Sequence, residues 1–333
     1  MLALLAGVGA ALLVEAGCGV KARRREPSAA TAPNVVSLSP QGHPPPYRLT
    51  EYAPGRAAPD RPAPVRAATV ARHVVIISED GLRPDAMLLA HGEIHAAIMR
   101  EGAYSMSART IRHASTLPSH AAMLSGFDEP AHKLSWNGWK PERGFIQVPT
   151  VFDAAMNAGH HSAAFVGKRK LEHITPPGSI NTFSRPGFFC KKVVEEAARY
   201  FVEHRPQIEF IHFSDPDERG HAIGWMSEPQ IEAIRHTDAC LATLIRAVHN
   251  AGLAEDTLFI LSSDHGGHGR NHSGRTEEDR LIPWIAWGAG VRRGHRLQSA
   301  ISTMDTAATA LWALGYPAPP EIQGRPVIEA FAK

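Results

Sequence analysis

Charge of one sign, cysteine and long apolar runs are all scarce in this chain, and each shortage excludes something. The 333 residues carry 35 Lys and Arg against 33 Asp and Glu. Residues 1–71 hold eight of the basic and four of the acidic ones, which leaves 27 against 29 for the rest. A nearly neutral body has no electrostatic footprint for nucleic acid, and no nucleic-acid partner is expected. Cysteine occurs only at positions 18, 190 and 240. Cys190 and Cys240 either pair in an oxidising compartment or stay as two buried thiols. The apolar run that opens the chain, "MLALLAGVGAALLV", falls short of the ~20 residues that span a bilayer. There is no internal repeat.

What the chain does have is a 44% hydrophobic content, enough to bury a sizeable core. The opening run has the length of a secretory h-region. The "EAGCG" that follows resembles a lipoprotein cleavage site with Cys18 as the lipidated residue, implying a cell-envelope protein held at a membrane by its N-terminus. The basic cluster "KARRR" at 21–25 supports a different outcome, an uncleaved N-terminal anchor. Residues 1–25 are therefore assigned to a signal or anchor. Residues 26–71 contain ten of the 26 prolines and few large aliphatics, so they are expected to be a disordered tether. The globular domain is expected over 72–333.

Within that domain five apolar runs predict strands: 73–78, 162–167, 208–214, 257–263 and 282–288. Their apolarity is continuous rather than alternating, as in strands covered on both faces of a parallel sheet. Helical patterns lie between them at 84–100, 150–158, 190–204, 229–251 and 304–314. The expected fold class is α/β, a three-layer α/β/α domain with a mostly parallel central sheet.

Three of the runs end in acids. "VVIISEDG" ends on Asp80, "FIHFSDPDERGH" on Asp215 and Asp217, and "FILSSDHGGHG" on Asp264 with His265 beside it. In an open parallel sheet, ligands bind in the crevice at the carboxyl ends of the strands, so these carboxylates should meet. Bare carboxylates in a crevice repel one another, and cations resolve that conflict. Asp217 and His221 are four residues apart and can share one ion. Asp264 and His265 offer a second oxygen and nitrogen pair, and His272 follows in a polar loop. Mixed carboxylate and imidazole ligands suit zinc, or another first-row ion such as manganese, better than magnesium. His120, His132 and His268 are assigned ordinary hydrogen-bonded or surface roles.

The order of these segments resembles the alkaline phosphatase superfamily, and most closely its type I phosphodiesterase/nucleotide pyrophosphatase branch. "SEDGLRPD" is similar to the first metal-ligand turn, "STLPSHAAMLSG" to the nucleophile segment and "HKLSWNG" to the segment with a phosphate-contacting Asn. "DPDERGH" and "SDHGGHGRNH" are similar to the two later metal motifs. The resemblance implies two divalent ions, zinc in type, one held by Asp217, His221 and His272 and the other by Asp80, Thr116, Asp264 and His265. It implies that Thr116 is the nucleophile, with a phosphothreonine intermediate, and that Asn137 contacts a phosphate oxygen. Lys168, in "FVGKRK" after a strand, is a further candidate for substrate phosphate.

Sulfatases in the same superfamily use a Cys or Ser converted to formylglycine. Thr116 cannot be converted, so sulfate hydrolysis by that route is disfavoured. The expected activity is hydrolysis of a small phosphate ester of the diester or pyrophosphate kind, with phosphomonoester or phosphonate hydrolysis as the alternative on the same ligands. Trp136, Trp139 and Trp225 would suit the extra ester group of a diester. A metal-binding envelope lipoprotein without turnover is the reading from a different class.

Overall fold

The computed structural model describes residues 69–272 and 276–332. The expectations for the signal or anchor segment, for Cys18 and for the tether up to residue 68 lie outside the described residues. Thr69, at the end of that tether, already forms a bridge with Leu314. Ala71 beside it is buried.

The strands are β1 (His73–Glu79), β2 (Ala103–Arg109), β3 (Ser162–Val166), β4 (Thr182–Ser184), β5 (Ile208–Phe213), β6 (Thr257–Ser262), β7 (Leu281–Gly288) and β8 (His295–Arg296). They form one sheet in the order β4-β3-β5-β1-β6-β7-β2-β8. From β4 to β6 all neighbours are parallel, whereas β7 runs antiparallel to both β6 and β2. The 282–288 run is thus a buried strand as expected, but not a parallel one. Continuous apolarity reports burial on both faces and says nothing of direction.

The helices are α1 (Pro84–Ala90), α2 (Glu93–Glu101), α3 (Thr116–Ser125), α4 (Glu129–His132), α5 (Val151–Asn157), α6 (Cys190–His204), α7 (Asp215–Ile223), α8 (Glu228–Asn250), α9 (Glu277–Arg280) and α10 (Asp305–Ala313). Side chains of successive strand residues point to opposite faces. In β1, Val74 and Ile76 enter the core that includes Leu117 of α3, Phe152 of α5 and Leu311 of α10. Val75 and Ile77 enter the other, with Met87 of α1, Val194 of α6 and Leu241 of α8. Two apolar layers on one sheet make the expected α/β/α sandwich. Each fully buried large side chain contributes roughly 1.5–3 kcal/mol to it.

The helix expected over 84–100 is broken into α1 and α2. His91 takes a left-handed conformation at φ 53°. A Cβ on Gly92 would lie 2.4 Å from the Asp238 carboxylate, which accepts from the Ile94 and His95 amides at the new helix start. Cys190 and Cys240 form a disulfide joining α6 to α8.

The register places the site. Ser78 stands opposite His212 on one side and Ser262 on the other. Asp80 and Asp264 therefore leave the sheet at the same height, and α7 begins at the same edge with Asp215.

Candidate metal centre and nucleophile

Two strand ends, two helices and one loop carry the expected ligands. His265 Nε2 lies 3.5 Å from Asp80 Oδ1, 3.2 Å from Asp264 Oδ2 and 3.9 Å from Asp217 Oδ1. His221 Nε2 and His272 Nε2 lie 3.4 and 3.7 Å from Asp217 Oδ1. Asp217 and His221 share one face of α7 because residues four apart on a helix are neighbours. Thr116 is the first residue of α3 and buried, and its carbonyl accepts from His120 Nδ1, which lies 3.4 Å from Asp264 Oδ2. Gly81 permits the crowding: a Cβ there would meet Asp217 Cα at 3.0 Å, and its φ of +73° favours glycine.

The atoms facing inward are short of partners. Asp80 Oδ1, Thr116 Oγ1, Asp217 Oδ1, Asp264 Oδ2 and His265 Nε2 are all buried with no hydrogen bond among the described residues. Buried polar atoms are normally satisfied, so the four gathered at His265 Nε2 point to something that belongs between them. The imidazoles are prepared for it. Nδ1 of His221 lies 3.1 Å from the Arg270 carbonyl, Nδ1 of His265 lies 2.8 Å from that of Gly266, and Nδ1 of His272 lies 2.8 Å from that of Ala114. A carbonyl only accepts, so each Nδ1 carries the proton and each Nε2 presents a lone pair, the arrangement seen in metal-ligating histidines. Two such lone pairs, on His221 and His272, stand 3.1 Å apart. A cation between them removes the repulsion.

The electrostatics agree. Burial and the neighbouring Asp80 carboxylate push Asp264 up to about 7. Burial and the neighbouring His265 push His272 down to about 4, leaving it neutral. Burial opposes ionisation of Asp80, but Lys168 and His212 outweigh it and hold that carboxyl well below the usual range. The residues present therefore fit divalent cations bound by mixed oxygen and nitrogen ligands.

Residues 74–277 match the family described as type I phosphodiesterase / nucleotide pyrophosphatase. This chain belongs to that family. Among curated relatives, it is 24% identical over 264 residues to GPI ethanolamine phosphate transferase 1 of Schizosaccharomyces pombe, an alignment covering 67% of this chain and 27% of that one. It thus spans about a quarter of such a relative's length. The fold is similar to murine ectonucleotide pyrophosphatase / phosphodiesterase 5 in complex with AMP, with a TM-score of 0.66 at 15% identity, over 78% of this chain and all of that one. It is also similar to a phosphonate monoester hydrolase from Silicibacter pomeroyi, with a TM-score of 0.59 at 15% identity, over 76% and 75% of the two chains. The sheet and its alkaline phosphatase-like neighbours make the family's fold plain.

The remaining expected residues of this phosphodiesterase-family chain fall as follows. Asn137 Oδ1 accepts from the Leu117 amide at 3.0 Å and from Lys170 Nζ at 3.1 Å. Two donors on that oxygen leave the Asn137 amide group free to donate. The Lys168 ammonium is buried against two carboxylates, 2.6 Å from Asp80 Oδ2 and in contact with Asp217 Oδ2. His120 is buried, with its ring nitrogens at the Thr116 carbonyl and the Ser78 hydroxyl. His268 pairs with Asp279, and His132 accepts from the Leu134 amide. All three keep the hydrogen-bonded roles assigned to them.

Trp225 has a structural role as well. It is buried beside His221 and His272, with ring centroids 5.2 and 5.9 Å away, its Nε1 donates to the Gly81 carbonyl at 2.9 Å, and a Cβ on Gly220 or Gly267 would run into its ring. It braces the Asp80 turn against α7. Trp136 and Trp139 do stand beside Asn137, with Arg143 and Arg169 over their rings at 4.2 and 4.5 Å.

Two residues were missed. His212 Nε2 meets Asp80 Oδ2 at 2.9 Å, while the Gly167 amide donates to its Nδ1 at 3.3 Å. The amide fixes the tautomer, so His212 donates to Asp80 and orients it. A lone His inside an apolar strand was the available signal. Lys170, in contact with Asn137, is the other.

Proposed function

We propose that this chain is a metal-dependent phosphoric ester hydrolase of the phosphodiesterase or nucleotide pyrophosphatase type, with Thr116 as nucleophile. The observation that carries the proposal is the cluster of buried, unpartnered carboxylate and imidazole atoms around His265 Nε2, with Thr116 Oγ1 a further buried, unpartnered atom at the start of α3. Asp217, His221 and His272 would hold one cation; Asp80, Thr116, Asp264 and His265 would hold the other. Bound dications, zinc in type, would make the Thr116 hydroxyl acidic enough to attack and would neutralise the phosphate.

The protein's own groups do the rest. Thr116 opens α3, whose N-terminus favours an anion, and Asn137, held by Leu117 and Lys170, donates to a phosphate oxygen. As the Thr116 oxygen bonds to phosphorus, its proton passes to water and the bond to the leaving alcohol breaks, the alcohol taking a proton from water. Water then hydrolyses the phosphothreonine ester and restores the hydroxyl.

A second reading, phosphomonoester or phosphonate hydrolysis, is favoured by the Lys170 ammonium beside Asn137, since a dianion needs more positive charge than a diester. The tryptophans beside Asn137 favour the diester. The name of the transferase relatives adds a third possibility, an alcohol in place of water as acceptor. Rates on bis(p-nitrophenyl) phosphate, p-nitrophenyl phosphate, a phosphonate monoester and a sulfate ester, with and without added alcohol, separate these. We expect the diester to be fastest, with activity lost to a chelator and restored by zinc. Turnover indifferent to the chelator contradicts the proposal. Attachment at the cell envelope through Cys18 or an N-terminal anchor is proposed for residues 1–25, and mass spectrometry of the mature N-terminus tests it.

A further inference from the structure

A second cluster of metal-ligating groups gathers where α6 and α8 meet the first residue of α7. Cys190 opens α6 and Cys240 lies on α8, where His236 shares its face at a spacing of four residues. His236 Nδ1 is 3.9 Å from Cys190 Sγ and 3.3 Å from Asp215 Oδ1. Asp215 is 2% exposed, its Oδ1 has no hydrogen bond among the described residues, and its Oδ2 is fixed by the Cys190 amide at 2.9 Å. A disulfide needs neither an imidazole nor a carboxylate beside it, and it leaves that buried oxygen unsatisfied. A tetrahedral zinc ion can take both as ligands beside the two thiolates. Its ordinary bond lengths separate nitrogen and oxygen ligands by about 3.3 Å and nitrogen and sulfur ligands by about 3.6 Å.

We propose that, once reduced, Cys190, Cys240, His236 and Asp215 form a zinc site of two thiolates, one imidazole and one carboxylate, separate from the catalytic centre. A dithiol or phosphine reductant supplies two electrons to the sulfur–sulfur bond, and two protons complete the thiols. Zinc binding then releases both thiol protons to solvent as the sulfurs move apart into two corners of the tetrahedron. His236, whose side chain is 52% exposed, gives the ion its way in. In oxidising surroundings the same pair closes into the disulfide, so either state ties α6 to α8.

Cobalt(II) reports the site, because thiolate ligands give an intense near-ultraviolet charge-transfer band that oxygen and nitrogen ligands do not. The full-length protein is reduced with a phosphine, freed of it without air, and titrated with cobalt. One additional cobalt per chain should bind with that band, which should be absent in the unreduced protein and lost in Cys240→Ser. His236→Ala should bind that cobalt at least about tenfold more weakly. Asp217→Asn should keep the band, so the outcome does not depend on the catalytic reading. Thiols that a phosphine does not release, a reduced protein without the band, or a band that survives Cys240→Ser overturns the proposal.

Discussion

His95 is held between two acids, with Nε2 3.0 Å from Glu79 and Nδ1 3.0 Å from Asp238, while Thr237 donates to the other Glu79 oxygen. Burial works against its charge, but Glu79 and Asp238 outweigh burial and raise it to about 10. A histidine whose pKa is higher in the folded state lends stability in full below its ordinary value of about 6.5, and that stability fades as pH rises through the folded value. Melting temperature should therefore decline between about pH 6.5 and 10. His95→Ala should lose about 3–5 kcal/mol at neutral pH, since it strands a buried carboxylate. It should also flatten that decline, as chemical denaturation at several pH values would show. Glu79 directly precedes Asp80, so the same network steadies the end of β1.

At the scale of elements, α7 carries the most testable part of the site. Asp217→Asn and His221→Ala should each cut bound zinc by about one equivalent per oxidised chain, measured by elemental analysis, with the fold intact by circular dichroism. Unchanged stoichiometry in both would contradict the assignment. The carboxylates were legible in the sequence because each follows an apolar strand, where backbone direction alone decides which edge of the sheet a residue reaches. Thr116 and Asn137 were legible only through motif order. Other features depended on tertiary contacts that no local pattern carries. β2 is rich in Ala and Ser and was not expected. The break between α1 and α2 answers to Asp238, 144 residues beyond Ile94 in sequence. Trp225 is enclosed by Gly81, Gly220 and Gly267, and the ammonium position of Lys168 is set by the charges it meets rather than by its strand.

Over the described residues, one sheet places charges of both signs at a single edge, between two apolar cores. Among the described residues no helix is long and apolar enough to cross a membrane, and the catalytic reading needs none. This edge is proposed as a reaction centre built around the Thr116 hydroxyl. The direct measurement is the steady-state rate of diester hydrolysis by wild-type and Thr116→Ala proteins, purified side by side and loaded with zinc to equal content. The nucleophile role of Thr116 predicts a loss of about a thousandfold or more in Thr116→Ala, with the metal still bound to the other ligands. Turnover by Thr116→Ala within a few-fold of wild type would contradict it.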